Sequence, residues 1–238
     1  RASSVVVVGD SKQMPPSSFG EASTSDDADS DATASESLTD AESILSECLS
    51  AAVPQQWLSW HYRSQDESLI AFSNLHYYEG RLSSFPAPGL GVGGGHSDRG
   101  LSLVRVGGVF ERSGKGKTLR TNRKEAEAIV EEIRRRFEAS PEAVPSIGVV
   151  TFNQQQRAFI EALIRDGGDT RIIEALDSTQ EEGLFIKNLE NVQGDERDVI
   201  LFSTAFSVNA NGVLPLNFGP LSLEGGERRL NVAITRAR

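Results

Sequence analysis

The chain has 238 residues, a formal net charge of −10 at pH 7 and an apolar content of 38%. This length and composition predict one or two domains with a real core, and the lack of a long apolar run argues against a membrane-spanning helix. The single cysteine, Cys48, excludes a disulfide framework and a cysteine-based zinc site within the chain. Because the sequence does not begin with a secretory leader, we expect a cytoplasmic protein.

The negative charge lies mainly in one segment near the start. Nine acidic residues and no Lys or Arg lie between Lys12 and Arg63, so the rest of the chain is close to neutral. Residues 23–37 contain no large apolar side chain and cannot bury enough surface to offset their ordering entropy. We predict a flexible acidic insertion over residues 20–41. The alternative is that this insertion mimics phosphate and occupies a nucleic-acid groove when substrate is absent.

Several short segments have the pattern of strands. Val5–Val8 is a β-branched run that ends at Gly9, which is typical of a buried parallel strand that leads into a loop. Residues 101–106 alternate in the manner of a half-buried strand. Further strands are predicted at 147–151, 184–189 and 199–205.

Two segments have helical spacing of apolar residues. The first covers residues 123–137, with Asn122 and Glu125 as its N-terminal cap. The second covers residues 154–165 and is ended by a Gly-Gly pair. Strands that alternate with amphipathic helices predict an α/β fold with a parallel sheet covered on both faces, in which ligands bind at the carboxyl ends of the strands.

One glycine-rich segment is similar to a phosphate-binding loop but lacks its context. Residues 114–118 (GKGKT) have the spacing of the end of such a loop, yet the first glycine of the pattern falls on Glu111, whose charge would repel phosphate. No strand, loop and helix surround the segment in the required order. We therefore predict no nucleotide site at Lys117.

Four segments occur in the order of known helicase motifs. Residues 9–16 (GDSKQMPP) resemble the third motif of superfamily 1 helicases, and residues 57–64 (WLSWHYRS) resemble the fourth. Residues 193–200 (QGDERDVI) resemble the fifth motif, and residues 228–238 (RRLNVAITRAR) resemble the sixth. The chain thus resembles the C-terminal RecA-like motor domain of a superfamily 1 helicase, of the B branch and similar to the nonsense-decay type.

The resemblance implies a domain organisation and a set of ligands. Residues 1–19 would be the trailing strand and third-motif loop of a first RecA-like domain, and residues 42–238 a second RecA-like domain without a P-loop of its own. ATP and Mg²⁺ would bind between the two domains, with the metal ligands in the first, and single-stranded DNA or RNA would cross both. The chain alone is expected to be inactive. The alternative is a degenerate, non-hydrolysing lobe that binds nucleic acid or a protein partner.

The implied catalytic residues are Gln13, Arg63 and Arg236. An arginine keeps its charge at physiological pH and offers a planar fork that matches phosphate oxygens, and in the resembled motifs both arginines reach the terminal phosphate, with Arg236 as the arginine finger. Gln13 matches the sensor of the terminal phosphate, because an amide can donate to phosphate and accept from water. The competing interpretation of Gln13 is a turn residue beside two prolines.

Three further residues are implied to hold the nucleotide. Tyr62 would stack on the base, Glu196 would accept hydrogen bonds from the ribose hydroxyls, and Gly194 would let the backbone approach closely. The nucleic-acid contacts implied are Thr151, Asn153 and Asn188, whose hydroxyl and amide groups can bond phosphates without reading bases. Because the segment after Thr151 departs from the commoner form of the motif, a simple helix cap is the alternative for it.

No metal ligands are predicted within this chain. Its three histidines, His61, His76 and His96, show no ligand spacing, and we interpret them as packing or surface residues.

Overall fold

The computed structural model describes residues 3–14, 43–86, 100–112, 116, 119–178, 182–209 and 211–238. These residues divide into two compact units, Arg1–Leu58 and Ser59–Arg238, and each unit is described by itself. The predicted acidic insertion at 20–41 and the segment around Lys117 lie outside the described residues.

The first unit contains one described helix, α1 (Ile44–Ser50). The Ser43 hydroxyl caps it by accepting a hydrogen bond from the backbone of Ser46. The strand predicted at Val5–Val8 is wrong for this structure: residues 5–8 form no strand, and all four valine side chains are exposed. A parallel strand obtains its hydrogen bonds and its burial from neighbouring strands, and the described part of this unit has none to offer.

The second unit carries the other helices and strands in an alternating order. In chain order they are β1 (Trp60–His61), α2 (Ser68–Tyr77), β2 (Ser83–Ser84), α3 (Arg123–Ala139), β3 (Ile147–Thr151), α4 (Gln154–Gly167), α5 (Thr170–Asp177), β4 (Phe185–Asn188), β5 (Val199–Ser203), a 3₁₀ turn (Gly219–Ser222) and α6 (Gly226–Ile234).

The main sheet is parallel throughout and has the strand order β4-β3-β5. Thr151 at the end of β3 pairs in register with Asn188 of β4 and with Ser203 of β5. Val149 and Val150 are both completely buried, and adjacent strand residues point to opposite faces. The central strand is therefore covered on both faces, as the sequence predicts. β1 and β2 form a separate parallel pair.

One apolar core joins the sheet to the helices α3, α4 and α5. Each helix contributes the side chains that recur on one of its faces, because residues three and four apart lie on the same side of a helix. The most buried members are Ala126, Ile133, Phe137, Ile147, Val149, Ile160, Ile164, Ile172 and Leu184. No helix in the described ranges is long and apolar enough to cross a membrane.

The predictions for both helices and for three of the strands are confirmed. Asn122 caps α3 by accepting a hydrogen bond from the backbone of Glu125, and α4 ends at Gly168, whose φ of +67° suits glycine. β5 ends two residues earlier than predicted, because Ala205 has a left-handed φ of +59° that no strand can continue. The strand predicted at 101–106 is wrong: the segment is exposed and lacks a described neighbour with which to pair.

Candidate functional site

An ion pair joins two residues that are far apart in the sequence, Arg63 and Glu196. The Arg63 Nε donates to the Glu196 Oε2 over 2.6 Å, and the Arg63 NH1 lies 3.5 Å from the carbonyl oxygen of Thr235. Arg63 follows β1, Glu196 precedes β5, and Thr235 is the residue that caps the end of α6. Three of the four helicase-like segments therefore meet at one place in the second unit.

Arg236 lies beside this pair and is almost completely buried, with 3% of its surface exposed. Its Nε donates to the carbonyl oxygen of Val232 (2.7 Å) and its NH2 to the Thr235 Oγ1 (2.9 Å), so the guanidinium is folded back on its own helix. Burial and then the positive charge of Arg63 lower the pKa of Arg236 to about 10. The side chain stays protonated at neutral pH, but its charge is held where an additional anion would be favourable.

The main chain around Arg236 is fixed by a short parallel bridge. The backbone N–H of Arg197 donates to the carbonyl oxygen of Arg236 (3.1 Å), and that of Arg238 donates to the carbonyl oxygen of Arg197 (3.0 Å). The bridge holds Arg197, which follows Glu196, against the backbone of Arg236. The spacing of the charged groups at this site is thus set by backbone hydrogen bonds as well as by side chains.

Arg197 is a structural part of the site that the sequence did not single out. It is 7% exposed, its Nε donates to the carbonyl oxygen of Gly183 (2.6 Å), and its guanidinium lies over the Phe185 ring at 4.8 Å. A Cβ on Gly148, the β3 residue beside Phe185, would come within 2.3 Å of that ring. Gly148 therefore leaves the room in which Phe185 supports Arg197.

Ser64 and His61 tie the turn that carries Arg63 to the chain end. The Ser64 hydroxyl donates to the carbonyl oxygen of Ala237 (3.1 Å), and the Ser64 N–H donates to the His61 Nε2 (3.3 Å). The His61 ring accepts at Nε2, which requires the neutral form, and burial followed by the charges of Arg63 and Arg236 lowers its pKa. His61 is half-buried and takes part in this turn, in keeping with its interpretation as a packing residue.

The remaining predicted nucleotide contacts lie close to these residues in the chain. Tyr62 precedes Arg63 and is 85% exposed, so a face of its ring is open to a ligand. Gly194 has a φ of +94°, a conformation that favours glycine, and with Glu196 it lines a cleft of about 750 Å³. An ion pair of 2.5 Å between Lys187 and Asp195 closes one wall of that cleft.

The predicted nucleic-acid residues lie together at the carboxyl edge of the main sheet. Thr151 and Asn188 pair in register, and the Thr151 hydroxyl donates to the carbonyl oxygen of Asn153 (2.9 Å). Asn153 caps α4, since its Oδ1 accepts from the backbone of Gln156 (2.7 Å). Within the part of the chain that the structure describes, the buried Asn153 Nδ2 and Asn188 Oδ1 have no hydrogen-bond partner. The cap and the nucleic-acid role are therefore compatible, because they use different atoms of Asn153.

These two groups of residues occupy opposite edges of the sheet. Arg197 bonds to Gly183, just before β4, and Asp198 N bonds to the Ser146 Oγ, just before β3. Glu196 is thus at the amino edge, whereas Asn188 is at the carboxyl edge. The predicted nucleotide residue Glu196 therefore lies away from the carboxyl ends of the strands, where the sequence leads us to expect ligands, because the loop after β4 runs back along the sheet before β5 begins.

Gln13 lies in the first unit, in a turn closed by Asp10. Its Nε2 donates to the Asp10 Oδ2 (2.8 Å), and the other carboxylate oxygen of Asp10 accepts from the backbone of Lys12 (2.9 Å). The interpretation of Gln13 as a turn residue describes this geometry, and its role as a phosphate sensor stays a prediction. Among the described residues, no group of three or more His, Cys, Asp or Glu side chains could hold a metal ion.

The second unit is an α/β domain with a parallel sheet and flanking helices, consistent with a RecA-like fold of the P-loop NTPase type. Residues 41–238 match the family model of the AAA domain, AAA_12, and the chain belongs to this family. The chain is also similar to curated proteins.

The chain is 32% identical over 246 residues to the uncharacterized ATP-dependent helicase MG140 of Mycoplasma genitalium, covering 100% of this chain and 20% of the relative. The MG140 homolog of Mycoplasma pneumoniae matches with the same identity and coverage. The chain thus spans about a fifth of the length of these curated relatives. The family and the relatives together support a helicase-like domain.

Proposed function

We propose that this chain is the C-terminal motor half of an ATP-dependent nucleic-acid helicase or translocase of superfamily 1, B branch. The observation that carries the proposal is that two arginine side chains meet at Thr235, where Arg63 bonds the carbonyl oxygen and the buried Arg236 bonds the hydroxyl. Burial and then the charge of Arg63 lower the pKa of Arg236 to about 10. Two neighbouring guanidinium groups are suited to a polyphosphate, whose oxygens their planar forks can bond. The similarity to an ATP-dependent helicase supports the same nucleotide.

In this proposal the two arginines stabilise charge in the transition state of ATP hydrolysis. Phosphoryl transfer depends on positioning and on charge stabilisation around the terminal phosphate. Arg236 acts as the arginine finger and Arg63 contacts the terminal phosphate. Gln13 belongs to the trailing part of a first RecA-like domain, residues 1–19, and orients or senses the phosphate through its amide. Residues 42–238 form the second domain.

The nucleotide is held by Tyr62, Gly194 and Glu196. Tyr62 stacks on the base with its exposed ring. The Glu196 Oε2 accepts from Arg63. In this proposal phosphate oxygens of ATP would bond Arg63 in its place and leave this carboxylate oxygen to the ribose hydroxyls. Mg²⁺ would accompany ATP, and we assign its ligands to the first RecA-like domain.

The carboxyl edge of the sheet binds the backbone of single-stranded DNA or RNA. Thr151, Asn153 and Asn188 offer neutral hydroxyl and amide groups, which bond phosphate and sugar without reading bases. An unpartnered buried polar atom costs free energy, so a small rotation that brings the Asn153 Nδ2 or the Asn188 Oδ1 to a nucleic-acid partner would be favourable. ATP hydrolysis would then move the two domains relative to each other along the strand.

The arginine roles are tested by Arg63→Ala and Arg236→Ala in the full-length protein that carries this chain. If the arginines act in the transition state, each variant should lose on the order of 10³-fold in kcat with little change in ATP affinity. Arg123→Ala is the matched control, because Arg123 is an exposed arginine that pairs with Glu127 across the surface of α3.

Near-normal turnover in both arginine variants would contradict the proposal. Nucleic-acid binding by the wild-type protein without any ATP turnover would instead identify a non-hydrolysing binding module. The isolated chain is expected to show no nucleic-acid-stimulated ATPase activity, since the proposed phosphate site is shared with a first domain.

The nucleic-acid edge is tested by Asn153→Asp. The Asp side chain keeps the oxygen that caps α4, but it replaces the Nδ2 donor with a negative charge that repels phosphate. We expect at least tenfold weaker binding of single strands by folded protein, with urea unfolding to check that the cap keeps α4 in place. Asn217→Asp is the matched control, because its Oδ1 also accepts a backbone hydrogen bond, from Gly219. Equal affinity in the two variants would contradict this location of the nucleic-acid site.

A further inference from the structure

A tight turn follows β5 at the carboxyl edge of the sheet. The backbone N–H of Phe206 donates to the carbonyl oxygen of Thr204 (2.7 Å), and the residue between them, Ala205, has a φ of +59°. Ala205 is completely buried. A left-handed conformation is uncommon for a residue other than glycine and costs conformational free energy that other contacts must offset.

The first turn of α3 holds this strained residue from both sides. The Ala205 N–H donates to the Glu125 Oε1 (2.9 Å), and the Ala205 carbonyl oxygen accepts from the Asn122 Nδ2 (3.2 Å). The same oxygen of Glu125 also accepts from the Ser203 hydroxyl (2.9 Å). Glu125 therefore does more than take part in the helix cap that the sequence predicts: its carboxylate spans from α3 to the end of β5.

A buried glutamine anchors this arrangement to α4. Gln156 is completely buried; its Oε1 accepts from the Asn122 N–H (2.8 Å), and its Nε2 donates to the Asn122 carbonyl oxygen (3.2 Å) and to the Ser203 Oγ (3.1 Å). The turn is thus attached to the first turns of both α3 and α4. A glycine at position 205 could adopt this conformation without steric strain. Alanine adopts it because the Glu125 and Asn122 side chains hold its N–H and its carbonyl oxygen, and they fix the conformation of the turn.

Thr204, whose carbonyl oxygen closes the turn, has an exposed side chain and directly follows β5 at the carboxyl edge, where the predicted nucleic-acid contacts lie. Ser203, the residue before it, pairs in register with Thr151, which pairs in turn with Asn188. We propose that Thr204 is a further contact to the nucleic-acid backbone, through its hydroxyl, and that Glu125 is the positioning residue that holds it there. This inference rests on the proposed function of the carboxyl edge.

The test uses the full-length protein and a fluorescein-labelled single strand of oligo-deoxythymidine or oligo-uridine. Thr204→Val keeps the shape of an exposed side chain and removes its hydroxyl, and we expect about tenfold weaker binding from the loss of a hydrogen bond to phosphate. Thr170→Val is the matched control: it removes an exposed hydroxyl at the start of α5, after α4 has returned the chain to the opposite edge of the sheet.

The positioning role is tested by Glu125→Ala, Glu125→Gln and the double variant Glu125→Ala with Thr204→Val. If Glu125 acts through Thr204, Glu125→Ala should weaken binding about tenfold, and the double variant should bind no more weakly than Glu125→Ala alone. Glu125→Gln keeps an oxygen that can accept from Ser203 and Ala205, so it should restore most of the affinity.

Wild-type affinity in Thr204→Val would overturn the proposal even if Glu125→Ala failed to fold. Additive losses in the double variant, near a hundredfold, would overturn the positioning role of Glu125. If Asn153→Asp weakens binding while Thr204→Val does not, the further inference fails and the proposed function stands. If neither variant weakens binding, the proposed nucleic-acid edge fails as well.

Discussion

The two edges of the main sheet carry opposite kinds of polar chemistry. The amino edge gathers charges: Arg63 and Glu196 form a partly exposed ion pair, and Arg236 is buried beside them with a lowered pKa. The carboxyl edge gathers neutral amides and hydroxyls around Gln156, which is completely buried and bonded to its neighbours. Strands of about five residues separate the two edges by about 15 Å.

The difference predicts that substitutions at the two edges will have different effects. A buried neutral network stabilises the fold when its members are satisfied, whereas the two neighbouring cations repel each other, a cost that Glu196 offsets in part. We therefore expect substitutions in the carboxyl-edge network to lower stability and substitutions at the amino edge to alter nucleotide chemistry. The following predictions test that contrast, from the largest expected effect to the smallest.

The largest stability effect is expected for Gln156→Ala at the carboxyl edge. This change removes the acceptor of the Asn122 N–H, and it removes one of two partners from both the Asn122 carbonyl oxygen and the Ser203 hydroxyl. The unsatisfied buried N–H and the lost bonds should lower the free energy of unfolding by about 3 kcal/mol. Urea unfolding measures the change. Gln154→Ala, at an exposed position in the same helical turn, should change it by less than about 0.5 kcal/mol. Similar values for the two variants would remove the basis for a stabilising network.

Tyr62→Ala is expected to affect nucleotide binding and leave the chemical step alone. The loss of stacking on the base should raise KM for ATP about tenfold, with kcat at saturating ATP nearly unchanged. Steady-state kinetics of the full-length protein measure both parameters. Tyr62→Phe should behave as wild type because it keeps the ring. A fall in kcat with normal KM for Tyr62→Ala would reverse the roles given to Tyr62 and the arginines.

Arg236→Met should stabilise the nucleotide-free protein, in contrast to Gln156→Ala. The fall of the Arg236 pKa to about 10 corresponds to a penalty on the order of 3 kcal/mol for the buried charge. Two hydrogen bonds to the helix offset about 1 kcal/mol each, so the net gain should be about 1 kcal/mol. Thermal or urea unfolding checks it, with Arg123→Met as the exposed control. Clear destabilisation would show that the guanidinium is well paired in this state.

His61 should give a small pH dependence to the stability of the amino edge. Its pKa is lowered in the folded protein by burial, Arg63 and Arg236, so the unfolded chain takes up the proton first as the pH falls. Stability from this group is complete above the unfolded pKa of about 6.5 and is lost as the pH falls from there toward the lower folded value.

His61→Gln keeps an acceptor for the Ser64 N–H and cannot titrate. Between about pH 7.5 and about pH 5, the wild type should therefore lose more stability than this variant, by less than about 1 kcal/mol after solvent screening. Unfolding curves at both pH values measure the difference. A larger loss in His61→Gln than in the wild type would have the wrong sign.

The sequence predicts those helices whose apolar spacing and cap residues lie within a single segment. The helices α3 and α4 were predicted with their caps, Asn122 and Gly168, because cap chemistry is local and the apolar spacing is strong. The runs at 5–8 and 101–106 were mistaken for strands, because their apolar side chains require a neighbouring strand that no local pattern guarantees. Tertiary pairing decided these cases.

The candidate site was predicted in part, through motif order and not through geometry. Arg63, Glu196 and Arg236 each lie in a segment that resembles a helicase motif, and the structure brings all three together. The backbone bridge at Arg197 and the carboxylate bonds of Glu125 depend on residues more than thirty positions apart. A single sequence carries no signal for such pairs, except that Glu125 belongs to a cap whose side chain has a second oxygen to offer.

The amino edge is sensitive to the size of the side chain at position 148, which is a glycine. A methyl group there would push the Phe185 ring out of the space in which it supports the Arg197 guanidinium. Arg197 holds the backbone of both Glu196 and Arg236 in place, so a purely steric change in the middle of a strand would be transmitted to two groups that it does not touch. We therefore expect Gly148→Ala to displace the residues of the proposed nucleotide site without changing any polar side chain, and second-site changes that shrink Phe185 should suppress this effect.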